Sequence, residues 1–145
     1  MKRLALCLGL FLLWFHISTS AQDNRSAETF KDDSSAVKAT VQDYIEAYFT
    51  GDIPRMEQAL HPLYLKHLIH GAIPMREKTA TQMVSEVRAR GSADHAEHME
   101  QISVLDVSGN IASAKLVTEC WVDYITLSKS KNGWKILSVV QQIYN

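Results

Sequence analysis

Two acidic side chains in the C-terminal half, Asp123 and Glu119, are the first candidates for acid–base chemistry. Asp123 lies in a β-prone run in which Trp121 and Ile125 share its face, and such apolar walls raise the pKa of a carboxyl. A carboxyl group of that kind can donate or accept a proton near neutral pH. Glu119 falls on the same face by strand alternation, so the two could divide acid and base roles. The alternative is a solvated face, with Asp123 bonded to backbone.

Histidines are the second candidates for acid–base or metal chemistry. His61, His67 and His70 fall close together, but their spacing lacks the i, i+4 pattern of zinc hydrolases and no carboxylate cluster stands beside them. We therefore predict no metal site. His61 is expected at a cavity rim or in a structural hydrogen bond, and His70 remains a possible pocket acid or base.

Aromatic side chains supply the third set of candidates. Tyr44 and Tyr48 are one turn apart on a predicted helix, so their hydroxyls could donate to a ligand oxygen in a dry cavity. Trp121 could offer a flat surface to an aromatic or isoprenoid-like ligand. Core packing is the alternative for all three. The sequence has no glycine-rich phosphate loop, nucleophile elbow or nucleotide fingerprint, so no cofactor is predicted.

The N-terminus has the pattern of a secretory signal peptide. Lys2 and Arg3 precede the apolar run 4–15, and small residues up to Ala21 suit a signal peptidase. The run is well short of the roughly 20 residues that a spanning helix needs, so an uncleaved anchor and lipidation at Cys7 are the weaker alternatives. We predict cleavage after Ala21 and export to the periplasm or the extracellular space.

Charge and cysteine content limit the partners of the exported chain. Loss of Lys2 and Arg3 lowers the basic count from 15 to 13 against 16 acidic side chains, a net charge of −3 without any basic run. Nucleic acid and anionic membrane surfaces are therefore not expected partners. Cys7 leaves with the signal, and Cys120 is predicted to be buried in a strand, with pairing between chains as the alternative.

Helical signals come early in the chain. The polar segment 22–34 is predicted to be a flexible terminus. An apolar stripe then predicts a helix from about Ser35 to Phe49, and Asp52 caps a short second helix that ends before Pro62. A third helix starts at the T-x-x-Q capping box of Thr79.

Strand signals follow the helices. The segment 63–70 reads as a strand or irregular hairpin, and from Ile102 the apolar period becomes two. Predicted strands cover 102–107, 111–127 and 134–144, separated by turns at 108–110 and 131–133. An antiparallel meander of this kind can bury one face by curling over three helices, which leaves a conical cavity. The long middle strand would need a bend or bulge to produce the curl.

Several short motifs occur together in an order that is fairly specific: Val41-Gln42-Asp43-Tyr44, Gly51-Asp52, His61-Pro62, Val122-Asp123-Tyr124-Ile125-Thr126-Leu127 and Asn132-Gly133-Trp134-Lys135-Ile136. With them, the chain from about Ala36 to Ile143 resembles the putative lumazine-binding family of the nuclear transport factor 2-like superfamily. The resemblance implies one α+β domain, residues 35–145, with three N-terminal helices packed in a curved antiparallel sheet, often as a homodimer through that sheet.

Two functions are open at this point. The first is an exported module without established catalysis, which binds a small apolar or aromatic molecule or acts as an accessory domain. The alternative is a cofactor-free isomerase, cyclase or dehydratase of the ketosteroid-isomerase or SnoaL type, using Asp123 with a histidine or tyrosine. Fold alone does not choose between them. We expect binding rather than catalysis, with Tyr44, Tyr48, His61, Glu119 and Trp121 as ligand contacts.

Overall fold

The computed structural model describes residues 19–69, 75–91 and 100–144. The predicted α+β architecture is confirmed over these residues, with three helices packed against one curved six-stranded sheet. The helices are α1 (Thr19–Thr50), α2 (Ile53–Ala59) and α3 (Ala80–Arg90). Residues 1–18 of the predicted signal segment lie outside the described residues, and so does His70.

The sheet is mixed, whereas the sequence predicted a purely antiparallel one. Its strands are β1 (Leu60–Ile69), β2 (Arg76–Thr79), β3 (Gln101–Ser108), β4 (Ile111–Val117), β5 (Trp121–Ser130) and β6 (Gly133–Ile143). Their spatial order is β2-β1-β6-β5-β4-β3, and β1 pairs with β6 in parallel. The reason is topological, because the early strand β1 pairs with the last strand. In a meander each strand pairs only with its neighbours in sequence, and all pairs are antiparallel.

Helix α1 lies against the concave face of the sheet and buries one apolar stripe. Val37, Val41, Tyr44 and Ile45 are at most 1% exposed, in agreement with the predicted periodicity. The helix begins earlier than predicted, at Thr19, so the segment 22–34 is helical where a flexible terminus was expected. Cleavage after Ala21 would remove only the first residues of α1.

Capping side chains fix the starts of the other two helices as predicted. The Asp52 carboxylate accepts a hydrogen bond of 3.0 Å from the Arg55 backbone N–H at the start of α2. Thr79 and Gln82 form the predicted reciprocal capping box at the start of α3. Strand β2, which ends at Thr79, was not predicted because its four residues, Arg-Glu-Lys-Thr, lack any apolar alternation.

The single long strand predicted for 111–127 is wrong, because a tight turn divides it into β4 and β5. The Thr118 hydroxyl accepts hydrogen bonds from the backbone N–H groups of Trp121 (3.1 Å) and Cys120 (3.3 Å). These hydrogen bonds take the place of the backbone hydrogen bonds between strands that a continuous strand would make. Glu119 is exposed in this turn and does not share a face with Asp123. Cys120 is an exposed free thiol, so its predicted burial is also wrong.

Leu116 tests how far the fold depends on the concave face of the sheet. Its side chain is completely buried, whereas Leu105 on β3 is 53% exposed. We expect Leu116→Ala to lower the free energy of unfolding by about 3 kcal/mol, because it leaves a cavity in a packed core. Leu105→Ala should change it by less than ~0.5 kcal/mol. Urea denaturation of both variants is the measurement, and equal losses would contradict the assigned burial.

Candidate functional site

Strand pairing places Asp123 in the middle of the concave face. Asp123 lies opposite Leu116 of β4 on one side and Gln141 of β6 on the other. Its side chain is 0% exposed, and it shares its face with the buried Ile125. The solvated alternative for Asp123 is therefore excluded, and its carboxyl is available only to the interior.

Lys66 on β1 is the partner of Asp123. The two strands lie on either side of β6, and Lys66 pairs with Val139 of β6. The Lys66 side chain reaches across β6 so that its Nζ lies 3.3 Å from Asp123 Oδ2. Lys66 itself is only 4% exposed. The concave face therefore contains a buried pair of opposite charges.

Burial has opposite effects on the two members of this pair. It raises the pKa of Asp123, while the nearby Lys66 charge and the hydrogen bond from Lys66 lower it in part. It lowers the pKa of Lys66, against which the Asp123 charge acts. Loss of water thus disfavours the charged form of each group, and the close opposite charge of its partner offsets this in part.

Two tyrosines complete the cluster. Lys66 Nζ donates a 2.9 Å hydrogen bond to the hydroxyl of Tyr44, which projects from α1. Tyr64, on the same face of β1 as Lys66, is 2% exposed. Burial raises the pKa of both phenols, and the neighbouring Asp123 charge adds to the effect. Both tyrosines therefore remain protonated donors at physiological pH. We call Tyr44, Tyr64, Lys66 and Asp123 the buried polar cluster.

Three buried polar atoms at the cluster make no hydrogen bond of good geometry to another described residue: Tyr64 Oη, Trp121 Nε1 and Asp123 Oδ1. The Tyr44 hydroxyl lies near enough to Tyr64 to lower the pKa of Tyr64 in part, although the contact does not have good hydrogen-bond geometry. The Trp121 indole and the Gln141 amide are near enough to the carboxyl to lower the pKa of Asp123, yet neither satisfies Oδ1 with good geometry. Unsatisfied polar groups inside a protein are costly, so their grouping calls for an explanation. The concave face therefore groups two unsatisfied donors and one unsatisfied acceptor.

An aromatic wall lies next to this cluster. The rings of Tyr48 and Phe49 on α1 contact Trp121 at centroid distances of 5.9 and 6.1 Å. Arg90, at the end of α3, lies 4.3 Å from the centre of the Tyr48 ring and donates to its hydroxyl. Burial raises the pKa of Tyr48, and the Arg90 charge opposes this. Tyr48 and Trp121 thus provide flat surfaces beside the unsatisfied donors.

The remaining predicted site residues are not part of the cluster. His61 Nδ1 accepts a 3.0 Å hydrogen bond from the Leu63 backbone N–H, which is the structural alternative expected for it. Glu119 lies in the exposed turn after β4. Across the described ranges, no group of three histidine, cysteine or acidic residues could hold a metal ion.

Sequence reasoning missed Lys66, although a signal was present. In the run Tyr64-Leu65-Lys66-His67-Leu68, Lys66 shares strand parity with Tyr64 and Leu68. Once that segment is a strand with Tyr64 inside, Lys66 must be inside as well. Because the sequence indicates either a strand or an irregular hairpin for this segment, strand parity could not be applied to it.

The buried pair should show strong energetic coupling. We expect Lys66→Met and Asp123→Leu each to lower the free energy of unfolding by about 3 kcal/mol, because each leaves its partner buried without a counter-charge. The double variant should lose less than either single variant, since both desolvation costs disappear together. A double-mutant cycle in urea is the measurement, and additive losses would show that the pair is not coupled.

Stability should also depend on pH through Asp123. Its pKa is raised in the folded chain above the ordinary value of 3.8, so between these values the native state binds more protons than the unfolded state. The contribution of Asp123 to the free energy of unfolding must therefore fall as pH rises above about 4. We expect the difference between wild type and Asp123→Asn to decrease from pH ~4 towards neutral. A difference that increases would mean that the pKa is lowered instead.

Comparison with known proteins agrees with this architecture. A nuclear transport factor 2-like protein of unknown function from Silicibacter pomeroyi is 18% identical with a TM-score of 0.65, covering 87% of this chain and 100% of its own. One from Methylobacillus flagellatus is 19% identical with a TM-score of 0.67, covering 79% and 94%. A ketosteroid isomerase-like protein from Erwinia carotovora is 13% identical with a TM-score of 0.60, covering 80% and 99%.

These TM-scores show a shared nuclear transport factor 2-like fold. A comparison with curated protein sequences found no significant match. Within the described part of the chain, no helix is long and apolar enough to cross a membrane. The family model described as "Putative lumazine-binding" matches residues 32–142. The chain therefore belongs to the putative lumazine-binding family.

Proposed function

We propose that this domain binds a small, flat, partly polar organic molecule on the concave face of its sheet, at the buried polar cluster. The observation that carries the proposal is the grouping of three unsatisfied buried atoms, on Tyr64, Trp121 and Asp123, around the Lys66–Asp123 pair. Replacement of a buried ion pair by well-packed apolar side chains is often neutral or stabilising, so stability alone does not account for this cluster. The family description points to the same class of ligand.

The chemistry of the cluster defines the ligand further. Tyr64 Oη and Trp121 Nε1 can donate hydrogen bonds, so they suit a carbonyl or other acceptor oxygen. Asp123 Oδ1 as a carboxylate suits an N–H or O–H donor on the same molecule. The rings of Tyr48 and Trp121 suit a planar conjugated system beside those groups. A heteroaromatic ring that carries both carbonyl and N–H groups meets all three requirements.

Lumazine, a planar bicyclic dione with ring N–H groups, is a suitable probe for this proposal. We expect wild type to bind it, and Asp123→Asn and Trp121→Ala each to weaken binding at least ~tenfold, the effect of about 1.4 kcal/mol. The measurement is isothermal titration, with native mass spectrometry of the protein from its own host to identify a resident molecule.

Tyr124→Phe is the matched control for the binding experiment. Tyr124 follows Asp123 directly but lies on the opposite face of β5 and is 52% exposed. Its substitution should leave the affinity unchanged. If neither lumazine nor any co-purifying molecule binds wild type, or if all three variants bind equally, the concave face is not a ligand site.

Acid–base catalysis is a second candidate function, favoured by one observation. Asp123 combines a raised pKa with complete burial, and Lys66 links it to the Tyr44 hydroxyl by a 2.9 Å hydrogen bond. A carboxyl in such a setting can move a proton to or from carbon, while a neutral phenol stabilises the developing oxyanion. Conversion of a bound molecule by wild type, and its loss in Asp123→Asn with binding retained, would favour an isomerase, cyclase or dehydratase.

Export and self-association are also part of the proposal. The N-terminal pattern of Lys2, Arg3 and the apolar run supports delivery to the periplasm or the extracellular space. The convex face of the sheet presents Tyr124 beside Val140, 52% and 41% exposed, which supports a homodimer formed through this face. Under this proposal, the ligand-binding interior lies outside the cytoplasm and each subunit carries one site.

A further inference from the structure

We propose that Lys66 is a covalent binding site for carbonyl compounds, and that its amine condenses with an aldehyde or ketone to give an imine. The inference rests on the proposed function in one respect, since a small molecule must reach the buried polar cluster. It goes beyond that function because the ligand would be held by a reversible covalent bond.

The geometry places two chemically complementary groups, a phenol and a carboxyl, beside one nitrogen. Lys66 Nζ has Tyr44 Oη at 2.9 Å and Asp123 Oδ2 at 3.3 Å. A lysine attacks a carbonyl carbon only as the uncharged amine, a form that burial favours and that a nearby carboxylate charge opposes. Desolvation lowers the pKa of Lys66, in agreement with that requirement.

The protons of the reaction balance within the cluster. The neutral amine of Lys66 adds to the carbonyl carbon, and the protonated carboxyl of Asp123 gives its proton to the carbonyl oxygen. The carbinolamine so formed loses its hydroxyl group, and one amine proton leaves with it as water. The product is a protonated imine on Lys66 beside the Asp123 carboxylate. One carbonyl, one amine and one carboxylic acid thus give one iminium ion, one carboxylate and one water.

The net charge of the cluster does not change in this reaction. The iminium ion replaces the ammonium form of Lys66 as the partner of Asp123, so no isolated charge is created in the interior. The unsatisfied donors of Tyr64 and Trp121 can hydrogen-bond to the carbinolamine oxygen before it leaves as water. The aromatic rings of Tyr48 and Trp121 favour a carbonyl that is conjugated to a flat group.

Other lysines provide a clear contrast. Lys78 pairs with Glu86, and Lys129 lies 2.6 Å from Asp33; each of these lysines is partly exposed. Among the described residues, Lys66 is the lysine that is buried. Lysines in water remain ammonium ions near neutral pH and condense slowly, so selectivity for one position can be measured.

The test uses benzaldehyde as the probe, sodium cyanoborohydride to trap the imine, and peptide mapping by mass spectrometry on the full protein near neutral pH. We expect a reduced benzyl adduct on Lys66 before any other lysine is labelled. Lys66→Arg keeps a positive charge without a primary amine and should lose this adduct. Lys78→Arg is the matched control and should retain it.

Mapping of wild type decides the question even if Lys66→Arg fails to fold. Labelling spread over the exposed lysines, or no labelling, overturns the inference. If wild type binds lumazine without covalent bonding but Lys66 is never trapped, the imine is excluded and the proposed binding function stands. If wild type neither binds lumazine nor retains a resident molecule, while Lys66 is trapped, the reactive amine is real and the noncovalent proposal fails.

Discussion

The arrangement of this fold depends on keeping one lysine and one aspartate together inside a dry sheet. A charged group in the interior costs several kcal/mol to desolvate, and only a close opposite charge or a transfer of the proton offsets that cost. Lys66 and Asp123 lie on strands separated by β6, so their 3.3 Å contact requires β1 to pair with β6 in one register. A slip of one residue would turn Lys66 to the convex face and leave Asp123 alone.

The rest of the concave face is consistent with this constraint. Helix α1 buries apolar side chains on either side of Tyr44 and brings its hydroxyl to the lysine. The turn at Thr118 sets the beginning of β5, and with it the face on which Trp121 and Asp123 lie. The stabilising groups and the candidate ligand groups are therefore the same side chains, which is common where a polar site is built into a core.

Sequence patterns predicted the elements better than their pairing. Caps at Asp52 and Thr79, the stripe on α1 and the hairpin turn before β6 are local signals, and each corresponds to an observed element boundary or face. The parallel pairing of β1 with β6 joins segments that are distant in the sequence, and no local sequence pattern indicates it. The Thr118 turn was missed because β-prone residues flank it on both sides. Asp123 was singled out by its apolar neighbours, whereas its partner Lys66 could be found only once strand parity in β1 was known.

The position of β6 has a consequence for how the protein is made. This strand lies between β1 and β5, yet it is the last of the described elements to leave the ribosome. The earlier strands cannot form a continuous sheet until it arrives, so long-range contacts must wait for nearly the whole chain. Folding is therefore delayed until synthesis of the domain is almost complete. During this interval the earlier strands lack their central partner, so the apolar side chains of the concave face stay exposed until β6 is in place.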